Sequence, residues 1–267
     1  MIMYIFASDP HGTGQPWIDL VERAKQAYPK AQVVFGGDYI DGRPFSKETF
    51  DYVITSVKAG AIALLGNHEQ MMLDFIDQQD DFFASVWYSN GAKTTIKSLL
   101  GLNHCCSKRM AKKLLKETDY YQFIKDLPLD YQTDNIIFVH AGIKPDGSPT
   151  DRDYKLWARE EYWYSWENQS ADKLFTVFAH NQTGKTIVTG HTPTCLINGF
   201  FNDPHVGYPN DEILSDTKGY HCPVVSVQFI DEPARIFTDN GCHGDLKDHN
   251  GNIVVLNDDG TIAEIFS

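Results

Sequence analysis

Five short clusters of polar residues carry side chains that could bind metal ions and transfer protons. In chain order they are Asp9-Pro-His11, Gly37-Asp38-Tyr-Ile-Asp41, Gly66-Asn67-His68-Glu69, His140-Ala-Gly142 and Gly190-His191-Thr192. Their oxygen and imidazole groups, without thiolate, suit Mn²⁺, Fe or Zn²⁺. Two such ions side by side can activate water and neutralise phosphoryl oxygens. The clusters therefore predict a two-metal phosphoester hydrolase.

The elements that must position these clusters are β-strands. Each cluster directly follows an apolar run that predicts a strand, at residues 4–7, 33–35, 61–65, 136–139 and 187–189. Open α/β sheets place their active-site crevice at the carboxyl ends of the strands. We therefore expect the five clusters to meet at one edge of the fold.

Taken singly, each cluster has an ordinary structural interpretation. Asp9 follows a strand, where an aspartate often caps the next helix, and Asp38 and Asp41 share this ambiguity. If the backbone at Asp9 and His11 is extended, both side chains point the same way and one metal ion can bind both. The paired glycines before Asp38 would allow close approach of backbone to a bound ion. Five such clusters in order, each after a strand, are hard to assemble by chance.

Helical and strand patterns alternate along the first part of the chain. Helices predicted from residue 17 to Pro29 and from Ser46 to Gly60 connect the first three strands, which indicates a parallel sheet. Between His68 and Asp134 the pattern is mostly helical, and we expect a helical cap insertion over roughly 70–130. Strands predicted at 224–230, 234–238, 253–256 and 261–265, the last two joined as a hairpin, favour a mostly antiparallel second sheet. We expect a single domain over 1–267.

With these motifs the sequence resembles the metallophosphoesterase (calcineurin-like) superfamily, and more narrowly its phosphoprotein phosphatase branch, which includes bacterial and phage serine/threonine protein phosphatases. The resemblance rests on Asp9-Pro-His-Gly12, Gly37-Asp-Tyr-Ile-Asp-Gly-Arg43, Gly66-Asn-His-Glu69, His140-Ala-Gly142 and Gly190-His-Thr-Pro-Thr194, and extends to Thr238-Asp-Asn-Gly-Cys242. It implies an α/β fold, a four-layer α/β/β/α sandwich of two mixed sheets with a helical cap insertion.

The resemblance also implies roles for individual residues. The first metal ion would be held by Asp9, His11 and Asp38. The second would be held by Asp38, Asn67, His140 and His191, so that Asp38 bridges the pair. A metal-bridging hydroxide would attack phosphorus, His68 would act as the general acid, and Asp41 would orient His68. We expect two divalent metal ions, with Mn first and Fe or Zn as alternatives.

Two arginines are candidates for gripping phosphoryl oxygens, because a planar guanidinium can bind two oxygens at once. Arg159, in Leu156-Trp-Ala-Arg-Glu160, resembles the family's Leu-Trp-x-Arg segment. Arg43 departs from the family pattern, because the residue directly after Asp41 is Gly42 and the arginine comes one position later. Arg43 could reach the phosphate on this glycine-hinged loop or lie on the surface.

Composition limits the classes of partner that the protein is expected to bind. The 267-residue chain has a formal net charge of −13, which disfavours nucleic acid because an acidic surface repels polyanions. The apolar N-terminal run is too short for a signal peptide or a membrane span, so we expect no membrane partner. Five unevenly spaced cysteines suit reduced thiols and a cytoplasmic location.

Three further features have open interpretations. The loop over 202–222, rich in Pro, Gly, Asp and Asn, predicts either a wall of the site or a disordered segment. The aromatic residues between 157 and 166 could line a substrate groove or simply pack. His221-Cys222 and Cys242-His243 could suggest a zinc site, but adjacent residues in extended chain point to opposite faces, and we interpret them as structural.

The most specific functional prediction is hydrolysis of phosphomonoesters by a serine/threonine-type protein phosphatase, acting on a phosphorylated protein or a small phosphomonoester. A dinucleoside polyphosphate (diadenosine tetraphosphate) hydrolase is the alternative with the same metal centre. A phosphodiesterase or nucleotidase stands further off. A non-catalytic binding scaffold of the same fold would have lost metal ligands, and here the full set is present.

Overall fold

The computed structural model describes residues 2–78, 81–165, 177–201, 221–244 and 249–267. Most of the predicted loop at 202–222 therefore lies outside the described residues, and so does Trp166. In chain order the elements are β1 (Met3–Ala7), α1 (Gln15–Ala27), β2 (Gln32–Phe35), α2 (Ser46–Lys58), β3 (Ile62–Ala63), α3 (Asn67–Asp77), α4 (Asp81–Ser89), α5 (Ala92–Leu100), α6 (Lys108–Lys116), α7 (Asp119–Lys125), β4 (Asp130–Gln132), β5 (Ile136–Val139), α8 (Arg152–Trp157), α9 (Glu160–Trp163), β6 (Thr186–Thr189), β7 (Val225–Val227), β8 (Arg235–Phe237), β9 (Ile253–Asn257) and β10 (Ile262–Phe266).

The first sheet has the strand order β10-β9-β1-β2-β3. β1, β2 and β3 are parallel, with α1 and α2 as the crossovers, as the alternating patterns predict. Helix α1 begins with a proline in its first turn, where the missing N–H costs nothing, and stops before Pro29. The predicted hairpin is confirmed as β9 and β10, which pair antiparallel.

The second sheet has the order β4-β5-β6-β8-β7 and corrects one expectation. β5 is parallel to β6 and β6 to β8, while only the outer pairs are antiparallel, so a mostly antiparallel second sheet was wrong. The last hairpin also joins the first sheet, where β9 pairs with β1. Apolar patterns locate strands, but they do not specify which strand will be the neighbour.

The two sheets face each other across an apolar layer. Phe6 and Phe138 stack in this layer with ring centroids 5.6 Å apart. A second cluster packs helices such as α1 and α2 on the outer face of the first sheet, and a third packs α9 on the outer face of the second. These layers confirm the predicted four-layer α/β/β/α sandwich of two mixed sheets.

Five helices, α3 to α7, lie between the third and fourth strands, where the sequence predicts a helical cap. Their buried residues, including Phe75, Trp87, Ile96, Leu115 and Ile124, join the core of the first half. The cap is thus packed on the sheet and can support the site from the side. Among the described residues no helix is both long and apolar enough to cross a membrane.

Candidate metal centre

The carboxyl ends of the parallel strands meet at one edge, as predicted. Asp9 and His11 follow β1, and Asp38 follows β2. The first residues of α3 come soon after β3, while His140 and His191 follow β5 and β6. Because the two sheets face each other, these loops converge in one buried group: Asp9, His11, Asp38, Asp41, Asn67, His68, His140 and His191 are all buried.

Asp9, His11 and Asp38 form a first donor set, with one ligand atom of each lying within 4.8 Å of the others. His11 Nδ1 lies 3.1 Å from the carbonyl oxygen of Ile40, which can only accept, so Nδ1 carries the proton. The lone pair of Nε2 is then free and lies 3.6 Å from Asp38 Oδ2. Asp9 Oδ1 accepts a hydrogen bond from the His191 backbone N–H at 2.9 Å. This set fits one cation.

Asp38, Asn67, His140 and His191 form a second donor set on the other side of Asp38. His140 Nδ1 donates to the carbonyl oxygen of Gly36 at 2.8 Å, so its Nε2 carries no proton in the neutral ring. Burial lowers the pKa of His140 to about 3 and keeps the ring neutral. His140 Nε2 nevertheless lies 2.8 Å from Asn67 Oδ1. An imidazole nitrogen, an amide oxygen and the Asp38 carboxylate are all ligands of divalent metal ions, so the residues present fit a metal ion.

The carboxylate of Asp38 faces both donor sets. Its Oδ2 lies 3.6 Å from His11 Nε2, and its Oδ1 lies 3.4 Å from His140 Nε2. Burial raises the pKa of Asp38 to about 6. A carboxylate with one oxygen toward each set is placed as a bridging ligand would be.

His68 and Asp41 form a charged pair next to the first donor set. His68 Nδ1 and Asp41 Oδ2 are 2.7 Å apart, and His68 Nε2 lies 3.9 Å from Asp38 Oδ2. Burial alone would lower the pKa of His68, but Asp38 and Asp41 together raise it to about 9. A protonated imidazole that points its Nε2 toward the carboxylate shared by the two donor sets can deliver a proton to a group bound there.

Two cap residues that sequence reasoning missed hold Asp41 in place. Trp87 Nε1 donates to Asp41 Oδ2 at 2.9 Å, and Thr95 Oγ1 donates to Asp41 Oδ1 at 2.5 Å. Both oxygens of this fully buried carboxylate are therefore bonded, which fixes the ring that it orients. Trp87 and Thr95 belong to α4 and α5, and in the sequence they looked like ordinary members of helical patterns.

Glu69 is a further missed supporting residue. Its carboxylate accepts hydrogen bonds from the backbone N–H groups of Asp38 and Tyr39, each at 2.8 Å, and of Gly66 at 3.2 Å. Glu69 therefore ties the beginning of α3 to the loop that carries Asp38. The signal was present as the last member of the Gly66-Asn67-His68-Glu69 cluster, but residue type alone did not show that it bonds to backbone.

Asp239, in the loop after β8, was also not predicted to belong to the site. Burial raises its pKa to about 6, and burial together with the charge of Asp239 raises the pKa of Asp9. Three carboxyl groups, those of Asp9, Asp38 and Asp239, are thus buried close together. Such a group is stable as ions only with positive charge nearby.

The two candidate arginines have different surroundings. Arg159 Nη1 donates to Thr192 Oγ1 at 2.7 Å, which holds the guanidinium beside His191. Arg43 Nη1 lies 3.5 Å from Asn250 Oδ1, so this side chain extends toward the loop before β9. The structure thus places Arg159 against the second donor set, while Arg43 has a contact outside both sets.

The aromatic residues near Arg159 divide by exposure. Tyr162, Trp163 and Tyr164 are buried, and they pack in the core of the second half. Trp157 is 39 % exposed, and its ring meets that of His191 edge-on with centroids 6.4 Å apart. Of the described members of this group, Trp157 is therefore the one that can border a bound substrate.

The backbone of the site is unusual. Five of the predicted site residues, Asp9, His11, Asp38, Asp41 and His191, have φ between +43° and +69°. The expectation of extended backbone at Asp9 and His11 was therefore wrong, although both residues do belong to one donor set. Left-handed backbone is costly for such residues and is concentrated at functional sites. Close packing adds a further constraint, because a Cβ on Gly190 would lie 1.8 Å from Asp9 Oδ2.

Two facing mixed sheets with this donor set at their carboxyl ends define a metal-binding hydrolase of the α/β/β/α class. The chain belongs to the calcineurin-like phosphoesterase family, whose model matches residues 3–224. Comparison with curated proteins gives no match.

Solved structures share the fold at low identity. A protein provisionally named a diadenosine tetraphosphatase is 18 % identical, with a TM-score of 0.50, over 97 % of this chain and 91 % of that one. The cold-active protein-tyrosine phosphatase of a psychrophile, Shewanella sp., is 15 % identical, with a TM-score of 0.50, over 99 % of this chain and 80 % of that one. At such identities the similarity shows the fold alone.

Proposed function

We propose that this protein hydrolyses phosphomonoesters with two bound divalent metal ions, Mn²⁺ first among them, and that its substrates are phosphorylated serine or threonine residues of cytoplasmic proteins. The observation that supports the proposal most strongly is the position of Asp38. Its two carboxylate oxygens face the two donor sets, and Nε2 of His68 lies 3.9 Å from one of them. The proposed general acid and the proposed bridging ligand are thus adjacent.

When bound, the metal ions would polarise the phosphoryl oxygens and lower the pKa of a water molecule. Asp9, His11 and Asp38 would hold one ion, and Asp38, Asn67, His140 and His191 the other. His68, protonated and oriented by Asp41, would donate its Nε2 proton to the leaving oxygen. Arg159, fixed on Thr192, would bind a phosphoryl oxygen at the second donor set.

The distribution of positive charge supports a single phosphoryl group over a polyphosphate chain. Arg152 and Lys155 are near the site in the sequence, but they hydrogen-bond to Gln70 and Asp130. Of these three cationic side chains, Arg159 is the one that hydrogen-bonds to the loop carrying His191, through Thr192. A chain of four phosphates would require several such cations. The partly exposed Trp157 leaves one wall open to a bulky substrate.

A substrate panel tests this proposal. The protein is treated with a chelator, reloaded with Mn²⁺, Fe²⁺ or Zn²⁺, and assayed on phosphoserine, phosphothreonine and phosphotyrosine peptides and on diadenosine tetraphosphate. We expect no turnover without metal and the highest kcat/KM on the phosphoserine or phosphothreonine peptides. Asp38→Asn is the matched inactive control.

The other outcomes are equally informative. Highest kcat/KM on diadenosine tetraphosphate would assign the protein to the dinucleoside polyphosphate hydrolases. Preference for phosphotyrosine would retain the phosphomonoesterase and change the substrate residue. Full activity of chelator-treated protein would contradict the two-metal mechanism, and metal binding without any turnover would favour a binding scaffold.

A further inference from the structure

His243 adds a third imidazole beside His11 and His68. It lies in the loop after β8, and its ring centroid is 4.7 Å from that of His11 and 5.2 Å from that of His68. One ring nitrogen of each residue lies within 4.8 Å of the others. We call these residues the three-histidine group. His11 and His68 are buried, whereas His243 is exposed and forms the outer side of the group.

The hydrogen bond that the structure gives His243 is long. His243 Nε2 lies 3.4 Å from the carbonyl oxygen of Asn90, beyond the usual N–H···O distance. The ring is therefore only weakly fixed by that contact, and a nitrogen can turn to another acceptor. A neutral imidazole has one N–H donor and one acceptor nitrogen. His243 thus places an exposed imidazole beside His68, the proposed general acid.

Gly42 explains how His243 comes so close. It has a φ of +77°, and a Cβ there would lie 3.3 Å from the His243 Cα and 3.3 Å from the His11 Cβ. The backbone of His243 thus occupies the space next to Asp41 that a side chain at position 42 would need. Arg43, one position later, has its Nη1 3.5 Å from Asn250 Oδ1. The space beside Asp41 is therefore occupied by His243, which comes from a distant part of the chain.

We propose that His243 is a substrate-binding residue that donates a hydrogen bond to a phosphoryl oxygen on the side of His11 and His68. The inference rests on the proposed phosphoesterase function and adds a contact to it. His243 is not part of either carboxylate-containing donor set in the described chain, which separates it from the metal ligands.

The test uses His243→Ala, His243→Gln and, as a matched control, His104→Ala, an exposed histidine in the cap. Binding of inorganic phosphate to the Mn²⁺-loaded proteins is measured by calorimetry, together with Mn²⁺ affinity and the KM for 4-nitrophenyl phosphate. We expect His243→Ala to weaken phosphate binding and raise KM by about tenfold, the lower end for a hydrogen bond to a charged group. His243→Gln, which keeps an N–H donor, should recover most of the loss, and Mn²⁺ affinity should stay unchanged.

Two results would overturn the inference. Unchanged phosphate affinity in His243→Ala would show that the ring does not touch the phosphoryl group. A weakened Mn²⁺ affinity would make His243 a metal ligand instead. Failure of the proposed function gives a different pattern, because phosphate binding needs no turnover. A wild-type protein that binds phosphate without hydrolysing esters still allows the comparison of affinities, while the phosphoesterase proposal alone falls.

Discussion

At the scale of single residues, the chemistry depends on which atom of each donor is free. His11 and His140 both use Nδ1 to donate to a backbone carbonyl, and this leaves Nε2 unprotonated toward Asp38. His68 differs, because its Nδ1 lies against the carboxylate of Asp41, and the nearby negative charge keeps the ring protonated. In the proposed mechanism the same residue type would thus serve as ligand in two places and as acid in a third, according to the partner of Nδ1.

His68→Ala should lower kcat by about 10²- to 10⁴-fold, the range for loss of a general acid. Bound metal should stay nearly unchanged, because His68 belongs to neither of the proposed metal-ligand sets. Steady-state rates on 4-nitrophenyl phosphate and on an alkyl phosphate, together with metal analysis, check both points. The loss should be smaller for 4-nitrophenyl phosphate, whose leaving group needs little protonation. Equal losses on both substrates would remove His68 from the role of acid.

Sequence reasoning predicted these residue types from five clusters of carboxylates and imidazoles. Each cluster directly follows an apolar run, and five such clusters in order are hard to explain without a metal site. It could not recover Trp87 or Thr95, since their contacts with Asp41 depend on how α4 and α5 pack. It interpreted His243 as structural and could not predict its closeness to His11, because this contact joins positions more than two hundred residues apart. Contacts that form only through tertiary packing leave no local pattern.

At the scale of elements, the site depends on a link between a strand and a helix. Glu69, at the start of α3, accepts hydrogen bonds from the loop after β2 with both carboxylate oxygens. The same loop contains the left-handed residues Asp38 and Asp41. The strained loop is therefore held by a side chain of the next helix. Strand positions and the helices α1 and α2 could be predicted from periodicity, but this link and the order of the second sheet could not.

Glu69→Gln should destabilise the protein by about 2 kcal/mol, because one amide nitrogen would face buried backbone N–H donors that a carboxylate oxygen now satisfies. The midpoint of urea unfolding measures this, with Glu117→Gln, an exposed residue at the end of α6, as the matched control. Mn²⁺ affinity should weaken as well, because the loop that carries Asp38 loses its anchor. An unfolding midpoint equal to that of the control would contradict the anchoring role.

At the scale of the whole molecule, the two halves each supply part of the centre. The first sheet and its helices provide Asp9, His11, Asp38 and Asn67, and the second sheet provides His140 and His191. The halves are held together by the apolar layer between the sheets, in which Phe138 stacks on both Phe6 and Tyr131. Docking of the sheets thus assembles the donor sets and also buries several carboxyl groups. Folding and metal binding should therefore be coupled.

This coupling predicts a pH dependence for the metal-free protein. Asp38 and Asp41 raise the pKa of His68 to about 9, although burial alone would lower it. In the unfolded chain this histidine titrates near 6.5, so only the folded chain keeps its proton between roughly pH 7 and 8.5. The buried thiol of Cys242, with its pKa raised to about 12 by burial, acts in the same direction. A state that binds more protons gains stability as pH falls.

We therefore expect the urea midpoint of chelator-treated protein to rise as the pH is lowered from 9.5 to 7. The Mn²⁺-loaded protein should show a flatter profile, because bound cations offset the carboxylate charges. A metal-free midpoint that is constant, or that falls toward pH 7, would show that these groups are not buried together as described.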